Sequence, residues 1–212
     1  MNKLHHFGDS YATNPNNTKH FVELLSYKLN LTYVPYGVGG YSNELILTRF
    51  MKEIYNFKDG DVLFFNFSFF IRGTYYDKNK KQIVSSNYFV NDTFRNYSEK
   101  DLVGLEYVMS IFDYHLNNTE DYNRKVFDKF DTLFELLVKK NIKIYYLFIE
   151  NSEFSDDLLK NGFNIKFPTG FCKWLYQMDY HKEQDCHYTR GIQGNIYNHI
   201  VELYPDLITE DI

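Results

Sequence analysis

Leu4-His5-His6-Phe7-Gly8-Asp9-Ser10-Tyr11-Ala12 is the stretch on which the reading of this chain turns. Residues 3–8 form a short apolar run that reads as a first strand. The run ends in Gly8-Asp9-Ser10, and a helical pattern begins near Lys19. A serine between a buried strand and a helix lies where free backbone N–H groups and the helix dipole can stabilise a developing oxyanion. Gly-Asp-Ser alone does not decide the matter, because about one chain in twenty of this length contains it by chance. An Asp-Ser turn whose serine caps the next helix is the other reading.

Moving outward, Phe21, Val22, Leu24, Leu25 and Leu29 recur at helical spacing over residues 19–29. Residues 31–36 read as a second strand ending near Pro35. Gly37-Val38-Gly39-Gly40 follows, a tight loop where backbone can approach a ligand closely. Ser42 or Asn43 is the expected cap of a second helix with Leu45, Ile46, Phe50 and Ile54 on one face. Asp59-Gly60-Asp61 is a turn, and residues 62–67 are a continuous apolar run suited to a central parallel strand. Residues 72–97 lack a clear period and read as a long surface excursion with room for a short hairpin. Helical spacing returns over 99–117 and over 121–140, the latter with Val126, Phe130, Leu133, Phe134, Leu137 and Val138 on one face. A strand over 142–149, a small helix over 170–180 and a last helix over 190–204 complete the chain.

This alternation predicts an α/β sandwich around a parallel sheet, with 1–212 as a single domain. In such sheets ligands bind beyond the C-terminal strand ends. Ser10, the Gly37–Gly40 loop and Asn66 all fall at such ends, on the first, second and third strands.

Composition narrows the function. The 212 residues are 44% hydrophobic and 24% charged, an ordinary globular balance with enough chain for a real core. The net charge of −5 argues against nucleic acid as the main partner. No run approaches the length of a membrane span. His5, His6 and Asp9 interrupt what would be a signal-peptide core, so the expected setting is cytoplasmic or a particle assembled inside a cell. Cys172 and Cys186 are too few for a disulfide framework, and the sequence leaves their pairing open. The 20 Tyr and 20 Phe point to aromatic core packing and a Tyr-rich surface, although aromatics also line carbohydrate sites.

A serine nucleophile needs a base, and the base needs an orienting acid. Asp185-Cys186-His187, read as a loop before the last helix, supplies both: Asp185 can hold Nδ1 of His187 and leave Nε2 for Ser10. His181 is near enough to compete for the role. A metal set of His181, Asp185 and His187 matches no standard zinc spacing, and no HExxH is present, so neither metal nor cofactor is expected.

Gly8-Asp9-Ser10, a glycine loop after the second strand, an Asn on the third and Asp-x-His before the last helix together resemble the SGNH (GDSL-type) hydrolases. All four blocks agree in order and rough spacing, and they span most of the chain. The resemblance implies a flavodoxin-like, three-layer α/β/α sandwich and a serine esterase. Ser10 would be the nucleophile. Its own N–H, the N–H of Gly40 and the side chain of Asn66 would form the oxyanion hole, and His187 would be the base, oriented by Asp185. The implied substrate is a small acyl ester, such as an acetyl group on a carbohydrate.

The sequence departs from the family in places. Phe64-Phe65-Asn66-Phe67-Ser68 stands where the family usually has Gly-x-Asn-Asp. Asn66 is therefore either the oxyanion donor or an inward polar residue of the strand, with Ser68 at the rim in its place. The last block has Asp two residues before His rather than three, and Tyr188 in place of the usual Pro. The stretch from Asn66 to Arg72 also resembles SGNH-like proteins encoded by bacteriophages. Arg72 would then lie near the site and bind an anionic or sugar substrate; a surface salt bridge is its other reading. The competing function is a non-catalytic structural or glycan-binding module of a larger assembly, a virion or a homo-oligomer. Acyl transfer to a sugar would use the same residues as hydrolysis.

Overall fold

The computed structural model describes residues 1–9, 12, 19–70, 72–77, 82–87, 119–150, 157–178, 181–182, 185–188 and 192–208, with backbone alone at 72–77, 82–87, 119, 181–182, 185–188 and 208. In chain order the elements are β1 (Lys3–Gly8), α1 (Phe21–Lys28), β2 (Thr32–Pro35), α2 (Asn43–Glu53), β3 (Val62–Phe67), β4 (Arg72–Asp77), β5 (Gln82–Asn87), α3 (Thr119–Val138), β6 (Lys143–Phe148), β7 (Phe163–Asn164), α4 (Phe171–Gln177), β8 (His181–Lys182), β9 (Asp185–Tyr188) and α5 (Gln193–Leu203). Short 3-10 turns follow α2 at Ile54–Asn56 and α5 at Pro205–Ile208.

Five strands form one parallel sheet in the order β2-β1-β3-β6-β7. Numbered among themselves they run 2-1-3-4-5, the flavodoxin-like order expected from the sequence, and the order reverses between β1 and β3. All six residues of β3 are buried. That is why this strand reads as an unbroken apolar run: it lies between β1 and β6 with both faces covered.

The two faces carry separate cores. Leu4, Phe64 and Leu147 pack with Phe21, Leu25, Trp174, Ile196 and Ile200, so α1, α4 and α5 cover one face. Phe7, Phe65, Phe67 and Phe148 pack with Phe50, Phe127, Phe130 and Phe134, so α2 and α3 cover the other. The result is the three-layer α/β/α sandwich.

Local features follow the sequence with specific exceptions. Ser42 is the cap of α2, its Oγ accepting the N–H of Leu45 at 3.3 Å. A hairpin of β4 and β5 occupies part of the long excursion, while the helix expected over 99–117 lies outside the described residues. On α3 the inward stripe is Val126, Phe127, Phe130, Phe134 and Leu137. Val138, expected on that stripe, is 45% exposed, because at 100° per residue it falls past the stripe's edge in the last turn. Strand β7 has no signal in the sequence reading. Asp185-Cys186-His187 lies on strand β9, paired antiparallel with β8, and not on an irregular loop.

Candidate active site

The strand order reverses between β1 and β3, and in open sheets of this kind the C-terminal strand ends at such a switch point are where ligands bind. The chain is packed tightly where it leaves β1. A Cβ on Gly8 would lie 2.6 Å from Ala12 Cβ and 2.7 Å from the carbonyl oxygen of Asn66. One on Gly37 would lie 2.3 Å from the carbonyl oxygen of Ala12. These two glycines allow the turn after β1 and the glycine loop after β2 to touch backbone to backbone. Ala12 N–H donates to Asp9 C=O at 2.9 Å, and Val38 N–H donates to Gly8 C=O at 3.1 Å. Gly40 is exposed, with φ of +81°, a conformation that glycine adopts without strain.

Beyond the last register pair, Gly8 with Asn66, side chains take over from the β-ladder. Asn43, at the start of α2, closes its carboxamide on Ser68. Oδ1 accepts the Ser68 N–H at 2.7 Å, and Nδ2 donates to the Ser68 C=O at 3.0 Å. The Ser68 hydroxyl donates to Asp9 Oδ2 at 2.8 Å. Two residues on, Phe70 N–H donates to Glu150 Oε2 at 2.9 Å, and Phe70 C=O accepts from Asn123 Nδ2 at 3.0 Å. The exit of β3 is thus held by side chains from α2, α3 and the end of β6. β4 starts just beyond it, with Arg72 as its first residue; the Arg72 side chain lies outside the described residues.

Asn66 faces the α1 side of the sheet and is fully buried. Its Oδ1 accepts from His6 Nε2 at 2.9 Å, while His6 Nδ1 accepts from the Tyr33 hydroxyl at 2.8 Å. His20 lies beside His6 with ring centroids 4.6 Å apart and the rings tilted by 48°, and it caps α1, its Nδ1 accepting the Val22 N–H. Burial holds the His6 imidazole pKa well below the ordinary 6.5, and the neighbouring His20 pushes the same way against the Asn66 hydrogen bond. His6 is therefore neutral. With Asn66 Oδ1 toward His6 the ring proton is on Nε2, and Asn66 Nδ2 is buried without a partner among the described residues. Burial also raises the Tyr33 phenol above its ordinary value.

Ser10 lies outside the described residues, directly after Asp9. Asp185 and His187 stand two positions apart on β9, with side chains outside the described residues, as does that of His181 on β8. Among the described residues no group of three His, Cys, Asp or Glu is placed to hold a metal, and no helix is long and apolar enough to cross a membrane. An open groove of about 480 Å³ lies elsewhere, lined by Ile142 and Lys143 where β6 begins, by Phe163 and by Leu203–Leu207. It lies at the opposite strand ends from the switch point and holds none of the expected site residues.

Asn43 and His6 are polar residues that the sequence reading does not assign to the site; Asn43 carries a signal there only as one of two possible caps of α2. Asp9 stands in the Gly-Asp-Ser block without a role of its own, and Ser68 is read as the alternative to Asn66 at the rim.

No family model matches the chain, and no curated relative matches it. Solved structures do. A member of the lipolytic protein G-D-S-L family from Veillonella parvula is 12% identical, over 97% of this chain and 99% of that one, with a TM-score of 0.52. The psychrotrophic esterase EstA from Pseudoalteromonas sp., solved inhibited by monoethylphosphonate, is 12% identical over 99% of this chain and 100% of its own, with a TM-score of 0.51. Protein YXIM from Bacillus subtilis is 11% identical over all of this chain and 58% of its own, with a TM-score of 0.56. At these identities the likeness is one of fold: across its described residues this chain has the α/β/α fold of these structures.

Proposed function

We propose that the protein is a serine esterase. The observation that carries this reading is the meeting of the Gly8-Asp9 exit, the glycine loop and the β3 exit at the sheet's switch point, in a fold shared end to end with an esterase. In the proposed reaction Ser10 Oγ attacks the acyl carbonyl carbon while His187, oriented by Asp185, takes its proton. The N–H groups of Ser10 and Gly40 stabilise the oxyanion, and Asn66 Nδ2, which has no partner among the described residues, is the third donor. The tetrahedral intermediate expels the alcohol, which leaves with the proton from His187. Water, activated by the same imidazole, then releases the carboxylic acid and restores Ser10. The proposed substrate is a small acyl ester, an O-acetyl group on a carbohydrate being the first to try, with Arg72 as a candidate contact at the mouth of the site. Hydrolysis and transfer of the acyl group to a sugar share these steps up to the second nucleophile.

One observation favours a second reading, a non-catalytic binding module: Asn66 is fully buried with its oxygen committed to His6. A fluorophosphonate probe separates the two. Labelling of the wild type but not of Ser10→Ala establishes an activated serine at this position. No labelling of the folded wild type moves the assignment to the binding module.

A further inference from the structure

The switch point is assembled from three segments that no continuous ladder joins. One is the Gly8-Asp9 exit of β1, the second is the glycine loop running into α2, and the third is the exit of β3. The last register pair of β1 with β3 is Gly8 with Asn66. The backbone of the glycine loop meets that of β1 through Val38 N–H and Gly8 C=O, whereas the β3 exit is tied to α2 and to Asp9 through side chains. Asn43, three residues after Gly40, meets both the N–H and the C=O of Ser68, as an adjoining strand would. Ser68 passes the connection to Asp9, the residue before Ser10. The three residues are 3%, 1% and 0% exposed, so water does not compete for these bonds. Apolar side chains would fill the same space without fixing a direction. Two carboxamide bonds and a hydroxyl bond to Asp9 Oδ2 fix both distance and orientation.

We propose that Asn43, acting through Ser68 and Asp9, is a positioning residue that sets the placement of the Gly40 N–H relative to the Ser10 turn. The inference rests on the esterase reading of that site, and it extends the site to residues that touch no substrate. Backbone donors of an oxyanion hole act only when correctly placed. A misplacement of about 1 Å can cost about a hundredfold in rate. The brace therefore acts on kcat, with little effect on KM.

The test uses the whole chain, with p-nitrophenyl acetate turnover read alongside hydrogen exchange. Ser68→Ala removes only the link to Asp9 and leaves Asn43 closed on the backbone. It is expected to lower kcat about tenfold or more with KM within about twofold, and Ser68→Thr, which keeps the hydroxyl, to restore most of the loss. Asn43→Ala is expected to lower kcat further, and adding Ser68→Ala to it to cost nothing more, since both act through one chain of bonds. Exchange should quicken in peptides covering 8–12 and 66–70 and stay unchanged in β6. A wild-type kcat in folded Ser68→Ala overturns the proposal. So does a loss that threonine does not restore, or quickened exchange that includes β6. A wild type that hydrolyses no ester, with the local quickening still seen in Ser68→Ala and Asn43→Ala, overturns the esterase reading and leaves the brace standing.

Discussion

The two faces of the central sheet are built from alternate residues of the same strands; both carry apolar cores, and they differ toward the C-terminal ends of β1 and β3. On the α2–α3 side, Phe7, Phe65, Phe67 and Phe148 stack in sequence across the sheet, with neighbouring centroids 5.2–5.6 Å apart. Phe50, Phe127, Phe130 and Phe134 cap that row at 4.8–5.1 Å. On the α1 side, the intervening positions of β1 and β3 include His6 and Asn66, hydrogen-bonded to each other and to Tyr33. One face gains its stability from area and ring geometry. The other gives up apolar burial to hold a polar chain that leads toward the switch point, and polar groups are costly there unless each finds a partner. Ring packing and a buried polar chain are thus carried by alternate residues of the same two strands.

The sharpest way to break this division is Ser10→Ala. It is expected to lower kcat/KM by about a thousandfold or more while leaving the unfolding midpoint unchanged. Ester hydrolysis and urea melts on the same preparation would check it, and a rate equal to wild type would remove Ser10 from the chemistry. Phe130→Ala should show the converse. Deleting a buried ring costs about 3–5 kcal/mol, read as a lower urea midpoint, while the fraction still folded keeps its turnover. If Phe130→Ala lowers the kcat of folded protein as strongly as its stability, the two faces are not independent.

Asn66→Ala tests the polar face where its two readings part. Losing an oxyanion donor is expected to cost about a hundredfold in kcat. Losing only an inward polar residue would leave the His6 Nε2–H without an acceptor and cost about 1–3 kcal/mol of stability, with no effect on turnover. The esterase reading requires the first result.

Much of the fold was legible because burial on both faces leaves a mark in one dimension. β1, β3 and β6 are apolar runs, and α1, α2 and α3 repeat at helical spacing. β7 was not legible: two residues carry no period, and its pairing with Tyr145 and Tyr146 is set by the sheet it joins. The short strand β9 was read as a loop for the same reason. In the site, the Gly8-Asp9 exit and the glycine loop announced themselves through composition. Asn43 and Ser68 did not, because their roles exist only across 25 residues of chain and depend on α2 lying against the exit of β3. His6 read as part of an apolar strand, and its meaning comes from Asn66, 60 residues away.

The smallest expected effect follows from that last pair. Burial keeps His6 neutral in the folded protein, with a pKa well below 6.5, whereas in the unfolded chain the imidazole titrates near 6.5. Below that pH the unfolded state takes up a proton that the native state refuses, so stability falls as pH falls until the depressed native pKa is reached. The slope for one such group approaches about 1.4 kcal/mol per pH unit. His5, buried beside Asp61, is also lowered because desolvation outweighs the ion pair, so it adds to the slope in the same direction. Urea unfolding from pH 8 to pH 5 should show a declining midpoint below about pH 6.5. His6→Gln replaces the ring with a group that cannot titrate, and should flatten the decline without abolishing it, since His5 remains. An unchanged slope in His6→Gln would mean that His6 takes up its proton in the folded state, and the neutral tautomer that orients Asn66 would have to be abandoned.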